Sequence, residues 1–75
     1  MKLPRDVSGI ELIKALQKFG YIPVRQWGSH VVLIHNSGKI VVVPLPKKLK
    51  TGLLKAIMKE VGITTEELIH LLEDP

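Results

Sequence analysis

The sequence contains no cysteine, which excludes disulfide bridges and any metal site built from thiolates. Aromatic residues are also scarce, with one tryptophan, one tyrosine and one phenylalanine in 75 residues. No apolar run approaches the roughly 20 residues that span a bilayer, and the first residues lack the pattern of a signal peptide. These absences predict a soluble cytoplasmic protein that has no membrane partner.

The sequence lacks the residue patterns that several kinds of active site require. The three histidines, His30, His35 and His70, have no spacing typical of zinc ligands, and no glycine-rich phosphate-binding loop occurs. No acidic residue lies between Glu11 and Glu60, which leaves a serine hydrolase triad or a pair of catalytic carboxylates without candidates in the central region. We therefore expect neither a metal nor a cofactor.

Charge is distributed unevenly along the chain. Residues 1–59 hold all eleven lysines and arginines against Asp6 and Glu11, a formal balance of +9. Residues 60–75 hold five acidic residues and no lysine or arginine, a balance of −5. The basic part suits a polyanionic partner, although a basic face is equally consistent with a solvated surface.

Hydrophobic content of 45% is sufficient for one small core, which predicts a single domain over residues 1–75. Capping boxes at Ser8–Glu11 and Thr64–Glu67 predict two helix starts. Apolar runs separated by glycine-containing turns predict three sequential strands. The expected elements are a helix over 8–19, strands over 21–26, 30–35 and 39–43, a helix over 52–61 capped by Thr51, and a final helix ending near Leu72.

This order predicts an α+β fold in which a three-stranded antiparallel sheet carries all helices on one face. Pro23 removes a backbone donor from the first strand, which favours an edge position or a bulge. The second and third strands are apolar on both sides, so the sheet face without helices is a candidate surface for a partner or a homodimer.

The tripeptide Gly28-Ser29-His30 places a histidine where a tight turn becomes a strand. Histidine ordinarily titrates near neutral pH, so His30 could remove the proton of a ribose 2′-hydroxyl and allow RNA cleavage without metal. Ser29 could orient a phosphate, Trp27 and Tyr21 could stack on an unpaired base, and cations could stabilise the phosphoryl oxygens. The candidate cations are Arg25, Lys47, Lys48 and Lys50.

Structural explanations remain open for the same residues. His30 could hydrogen-bond a turn carbonyl at the strand end, and Trp27 could cover an edge of the core. The lysines from Lys47 to Lys50 could form a soluble connection.

The chain resembles the HicA-type toxins of toxin–antitoxin pairs. The resemblance rests on Gly28-Ser29-His30 before an apolar strand, and it extends over nearly the whole chain. The other matching segments are Ser8-Gly9-Ile10-Glu11-Leu12-Ile13-Lys14-Ala15-Leu16, Gly20-Tyr21, Ile40-Val41-Val42-Val43-Pro44, Lys50-Thr51-Gly52-Leu53-Leu54-Lys55-Ala56-Ile57, Val61-Gly62-Ile63 and Glu66-Glu67-Leu68.

The resemblance implies a fold like that of double-stranded-RNA-binding domains and a metal-independent endoribonuclease that cleaves mRNA. It implies that His30 is the catalytic residue and that a HicB-like antitoxin covers the active surface. Many members have a second histidine shortly after the proline that ends the third strand. Leu45 and Pro46 stand there in this chain, so whether His30 acts without that second histidine stays open.

Two other functions fit the sequence less closely. A non-catalytic RNA-binding module would use the same basic surface. A DNA-binding domain would use the two C-terminal helices, but Glu66, Glu67 and Glu73 are unsuited to a recognition helix.

Overall fold

The computed structural model describes residues 7–45 and 48–73. Their order is α1 (Gly9–Lys18), β1 (Tyr21–Trp27), β2 (His30–His35), β3 (Ile40–Pro44), α2 (Thr51–Val61) and α3 (Thr65–Glu73). The expected α+β fold is confirmed: one helix, three antiparallel strands, then two helices. Within the described ranges, no helix has the length and apolar character needed to cross a membrane.

Reciprocal hydrogen bonds at two helix starts confirm both expected capping boxes. At α1, Ser8 Oγ accepts the Glu11 backbone N–H (3.1 Å), and Glu11 Oε1 accepts the N–H of Ser8 (3.2 Å). At α3, Thr64 Oγ1 accepts the N–H of Glu67 (3.1 Å), and Glu67 Oε1 accepts the N–H of Thr64 (3.0 Å). Each box satisfies amide groups that have no partner within the helix.

The start of α2 differs from expectation. Leu54 donates its N–H to the carbonyl of Lys50 (2.9 Å), so the first turn closes on Lys50 and makes Thr51 the first helical residue. The prediction of Thr51 as the cap is therefore wrong, and Lys50 occupies the cap position without a side-chain hydrogen bond. The end of α2 is as expected: Gly62 adopts a left-handed conformation (φ 88°) and donates its N–H to the carbonyl of Met58.

The sheet is antiparallel in the order β1-β2-β3. Trp27 ends β1, one residue beyond the expected strand over 21–26, so the first turn consists of Gly28 and Ser29 alone. Gly28 has a φ of 54°, which glycine adopts without strain. Between Pro23 and Arg25 the register with β2 shifts, and β1 is an edge strand, so both expectations drawn from Pro23 are confirmed.

Alternate strand residues face the helices and form one core with them. Two apolar helix residues lie outside this core: Ile10 is 57% exposed and Leu53 is 40% exposed. The other sheet face lies open on the far side from the helices. The buried core comprises Val7, Leu12, Ala15, Leu16, Tyr21, Val31, Leu33, Val41, Val43, Leu49, Leu54, Ile57, Met58, Val61, Ile63 and Leu68.

Gly9 fixes the start of α1 against the end of β3. A Cβ at Gly9 would overlap the carbonyl oxygen of Pro44 and approach the Cα of Leu45 to 2.8 Å. Both obstacles are backbone atoms, which cannot rotate away as a side chain can. The close approach therefore depends on glycine at this position.

We expect Gly9→Ala to lower the free energy of unfolding by about 1–3 kcal/mol, as overpacking typically does. Gly52→Ala is the matched control, because Gly52 also lies in the first turn of a helix but has open space around it. Its alanine variant should be neutral or more stable by up to about 1 kcal/mol. Urea unfolding of both variants measures the difference, and equal stabilities would contradict the packing described for Gly9.

Candidate functional site

The register of the strands brings three side chains into one row at the end of the open sheet face. His30 lies opposite Trp27 on β1 and opposite Pro44 on β3. Directly opposed residues of antiparallel strands project from the same face, so the imidazole lies between an indole and a pyrrolidine ring. Trp27 is 63% exposed and does not cover the core, so this structural explanation for it is wrong. Tyr21 is only 2% exposed and belongs to the core, so the expectation that it could stack on a base is wrong.

The next row contains Arg25, opposite Val32. The Arg25 guanidinium carbon lies 4.8 Å from the ring centroid of Trp27, which is the geometry of a cation–π contact. The bulge causes this arrangement. Without the register shift, Val24 would oppose Val32, and Arg25 and Trp27 would project from the other face.

His30 and His35 lie at opposite ends of β2 and differ in their surroundings. His35 Nδ1 accepts the N–H of Ser37 (3.1 Å), and its ring lies 4.8 Å from Tyr21 and 6.3 Å from Phe19 between centroids. His30 is exposed, and its side chain makes no hydrogen bond to any residue that the structure describes. Because the two histidines are five residues apart on one strand, they lie on opposite faces of the sheet, and His35 is the structural histidine.

The Gly28–Ser29 turn is held from both sides. Gln26 Nε2 donates to the carbonyl of Gly28 (3.0 Å), and Leu45 donates its N–H to the carbonyl of Ser29 (2.7 Å). Both turn carbonyls therefore accept hydrogen bonds from groups other than His30. The imidazole therefore stays available to a ligand on the open face.

The lysines of the site lie on the connection from β3 to α2. Lys48 follows Leu45 by three residues, so its Cα lies within about 11 Å of the Leu45 Cα. Lys50 precedes the first turn of α2, whose amide groups have no side-chain cap. Such amides add positive potential beside the lysine. Lys47 and Pro46 lie outside the described residues.

No carboxylate lies on the open face within residues 7–45 and 48–73, since all the Glu residues there lie on helices. The same ranges contain no group of three His, Asp or Glu residues that could hold a metal ion. The face therefore joins one unpaired imidazole, one guanidinium and one exposed indole in a positive environment. This chemistry can bind an anion that carries an aromatic base and can transfer a proton.

The fold and the site together define a class of protein. It is a small α+β domain whose open sheet face carries an exposed histidine beside a cationic and an aromatic group. The sequence matches the family described as the HicA toxin of bacterial toxin–antitoxin systems over residues 9–63. The chain therefore belongs to the HicA toxin family. No curated protein matches the chain.

The matched segment contains the sheet, α1 and α2 but excludes α3. Every described candidate site residue falls within it. The helix that carries Glu66, Glu67 and Glu73 thus lies outside the matched segment.

The free energy of unfolding of alanine variants distinguishes the roles of His30 and His35. We expect His35→Ala to lower the free energy of unfolding by about 1–3 kcal/mol, because the variant loses hydrogen bonds to the turn and ring packing on Tyr21. His30→Ala should change it by less than about 0.5 kcal/mol, as is usual at exposed positions. A large loss of stability in the His30 variant would show that His30 has a structural role.

Proposed function

We propose that the chain is an endoribonuclease that cleaves mRNA without a metal ion and that His30 is its catalytic residue. The observation that carries the proposal is the exposed imidazole of His30, free of hydrogen bonds within the described residues and flanked by Trp27 and Pro44. Membership of a toxin family supports this proposal, because RNA cleavage is an activity through which a small protein can arrest growth.

In the proposed reaction, neutral His30 takes the proton from a ribose 2′-hydroxyl. The 2′-oxygen forms a bond to the adjacent phosphorus, and the bond from phosphorus to the 5′-oxygen breaks. The departing 5′-oxygen gains a proton from the protonated imidazole or from water. The products carry a 2′,3′-cyclic phosphate and a 5′-hydroxyl, and no oxidant or metal takes part.

Other residues of the face would bind and orient the RNA. Arg25 is close enough to Trp27 to stack on it, which leaves the opposite side of the indole for an unpaired base. The guanidinium would also stabilise charge on the phosphoryl oxygens. Gly28 and Ser29 set the position of His30, and Lys47, Lys48 and Lys50 would contact the RNA backbone.

A HicB-like antitoxin is the proposed protein partner. The open face combines exposed apolar residues with the Arg25 guanidinium, and covering it would block RNA from His30. Family membership supports the existence of a partner of this kind.

Leu45 bears on how His30 completes the reaction. The side chain of Leu45 packs against the core, and its N–H is bound to Ser29, so this position supplies no proton-transfer group beside the histidine. That observation favours the second candidate function, a module that binds RNA at this face and does not cleave it. The two functions differ in whether bound RNA is shortened.

We expect His30→Ala to reduce the single-turnover rate of RNA cleavage by about 100-fold or more, because loss of a general base typically costs at least that factor. His70→Ala is the matched control, since His70 is also exposed but lies on α3. The control should cleave at the parent rate, and excess EDTA should change neither rate. An RNA with a single 2′-deoxy substitution at the cleavage site should resist the parent enzyme.

Cleavage by His30→Ala at the parent rate would contradict the catalytic role. RNA that binds the parent protein and remains intact would instead favour the binding module.

A further inference from the structure

The hydrogen bonds of β3 leave part of this edge strand open. Leu45 donates its N–H to the Ser29 carbonyl (2.7 Å), and His35 donates its N–H to the carbonyl of Lys39 (2.9 Å). In an antiparallel ladder, residues that bond to the neighbouring strand alternate with residues that do not. The odd-numbered residues of β3 therefore bond to β2, and the N–H and C=O groups of Ile40 and Val42 point away from the sheet.

Nothing in the described part of the chain satisfies these outward groups. Outside the β2–β3 ladder, neither Ile40 nor Val42 makes a backbone hydrogen bond within the described residues, and the two residues are 54% and 46% exposed. The part of the edge that can pair with another strand ends at Pro44, because proline has no N–H and Gly9 packs against the Pro44 carbonyl. The open edge is therefore the segment Ile40–Val42, in which polar backbone and apolar side chains are exposed together.

The opposite edge of the sheet is protected. Pro23 removes a backbone donor from β1, and the bulge between Pro23 and Arg25 interrupts the regular ladder. Proteins commonly use proline and bulges in this way to prevent strand addition. A regular strand can thus be added at β3 and not at β1.

We infer that the open edge binds β3 of a second copy of this chain, in antiparallel orientation about a two-fold axis at Val41. This register places Ile40 opposite Val42 of the second copy, and Val42 opposite Ile40. Both positions are of the hydrogen-bonded type, so four backbone hydrogen bonds form and all the outward groups of Ile40 and Val42 are satisfied. The result is a continuous six-stranded sheet.

Charge does not oppose pairing with a second copy at this edge, despite the net charge of +4 on each chain. The segment from Ile40 to Pro44 carries no charged residue, so no like charges meet in the interface. In the inferred register, the two Lys39 residues are four residues apart along the strands, about 13 Å. That separation exceeds the screening length of about 8 Å at physiological ionic strength.

The protected β1 edge sets the size of the assembly. Pairing of β3 with β3 uses the same surface on both copies, and each outer edge of the six-stranded sheet is then a β1 strand. Further addition stops there, so the contact produces a closed dimer and not a fibre. Dimer formation of this kind does not depend on RNA cleavage.

Sedimentation equilibrium tests the dimer. The parent chain of 8.4 kDa should show a mass that rises with concentration towards twice this value. The double variant Ile40→Lys/Val42→Lys should remain at the monomer mass, because each lysine would oppose another lysine. Ile40→Glu/Val42→Glu should also remain monomeric, and a 1:1 mixture of the two variants should recover the dimer.

The mixture also tests folding, because two unfolded variants could not restore a specific dimer. Circular dichroism of each double variant provides an independent check, since both positions are exposed.

Cysteine cross-linking tests the register in a chain that has no cysteine of its own. A mixture of Ile40→Cys and Val42→Cys chains should form disulfide-linked heterodimers, because opposed Cα atoms lie about 5.5 Å apart. Each variant alone should cross-link poorly, since the like positions would be about 8 Å apart, beyond disulfide reach. Ile22→Cys, exposed on β1, is the matched control and should not cross-link.

A parent chain that stays monomeric at millimolar concentration would overturn the inference. So would a lysine double variant that still dimerises, or cross-linking through Ile22. Binding of a strand from a different protein at Ile40–Val42, with no self-association, would also overturn it and assign the edge to that other partner.

Discussion

The β-bulge in β1 is the constraint on which the open face depends. Strand side chains alternate with a period of two, so one extra residue moves every later side chain to the opposite face. The extra residue after Pro23 therefore turns Arg25 and Trp27 away from the helices and towards His30. An edge strand tolerates this interruption because its outer side has no ladder to break. A backbone irregularity thus assembles the cationic, aromatic and titratable groups of the site.

The remainder of the fold holds this face in place. Gly9 allows α1 to approach the carbonyl of Pro44, and the N–H of Leu45 binds the turn before His30. On the other face, burial and the nearby Glu60 carboxylate raise the pKa of Tyr21, against whose ring His35 packs. The two faces therefore differ: one contributes stability, and the other leaves titratable, cationic and apolar groups exposed.

Local features of the structure could be predicted from the sequence, and features set by register could not. The capping box at Ser8 and the turns at Gly28 and Gly38 depend on a few neighbouring residues, and the position of His30 at a strand start follows from its tripeptide. The contact of Arg25 with Trp27 requires the exact site of the bulge, which Pro23 indicates only within a few residues. The exposure of Ile10 follows from tertiary packing, which overrides helical periodicity.

The central claim is that the open face, organised around His30, binds RNA. Chemical-shift mapping with a short RNA made uncleavable by 2′-O-methyl groups tests it most directly. The account predicts perturbation of the Trp27 indole, the His30 ring and the Arg25 guanidinium, with little change on α1 and α3. Perturbation confined to the helices, with the signals of Trp27 and His30 unmoved, would contradict it.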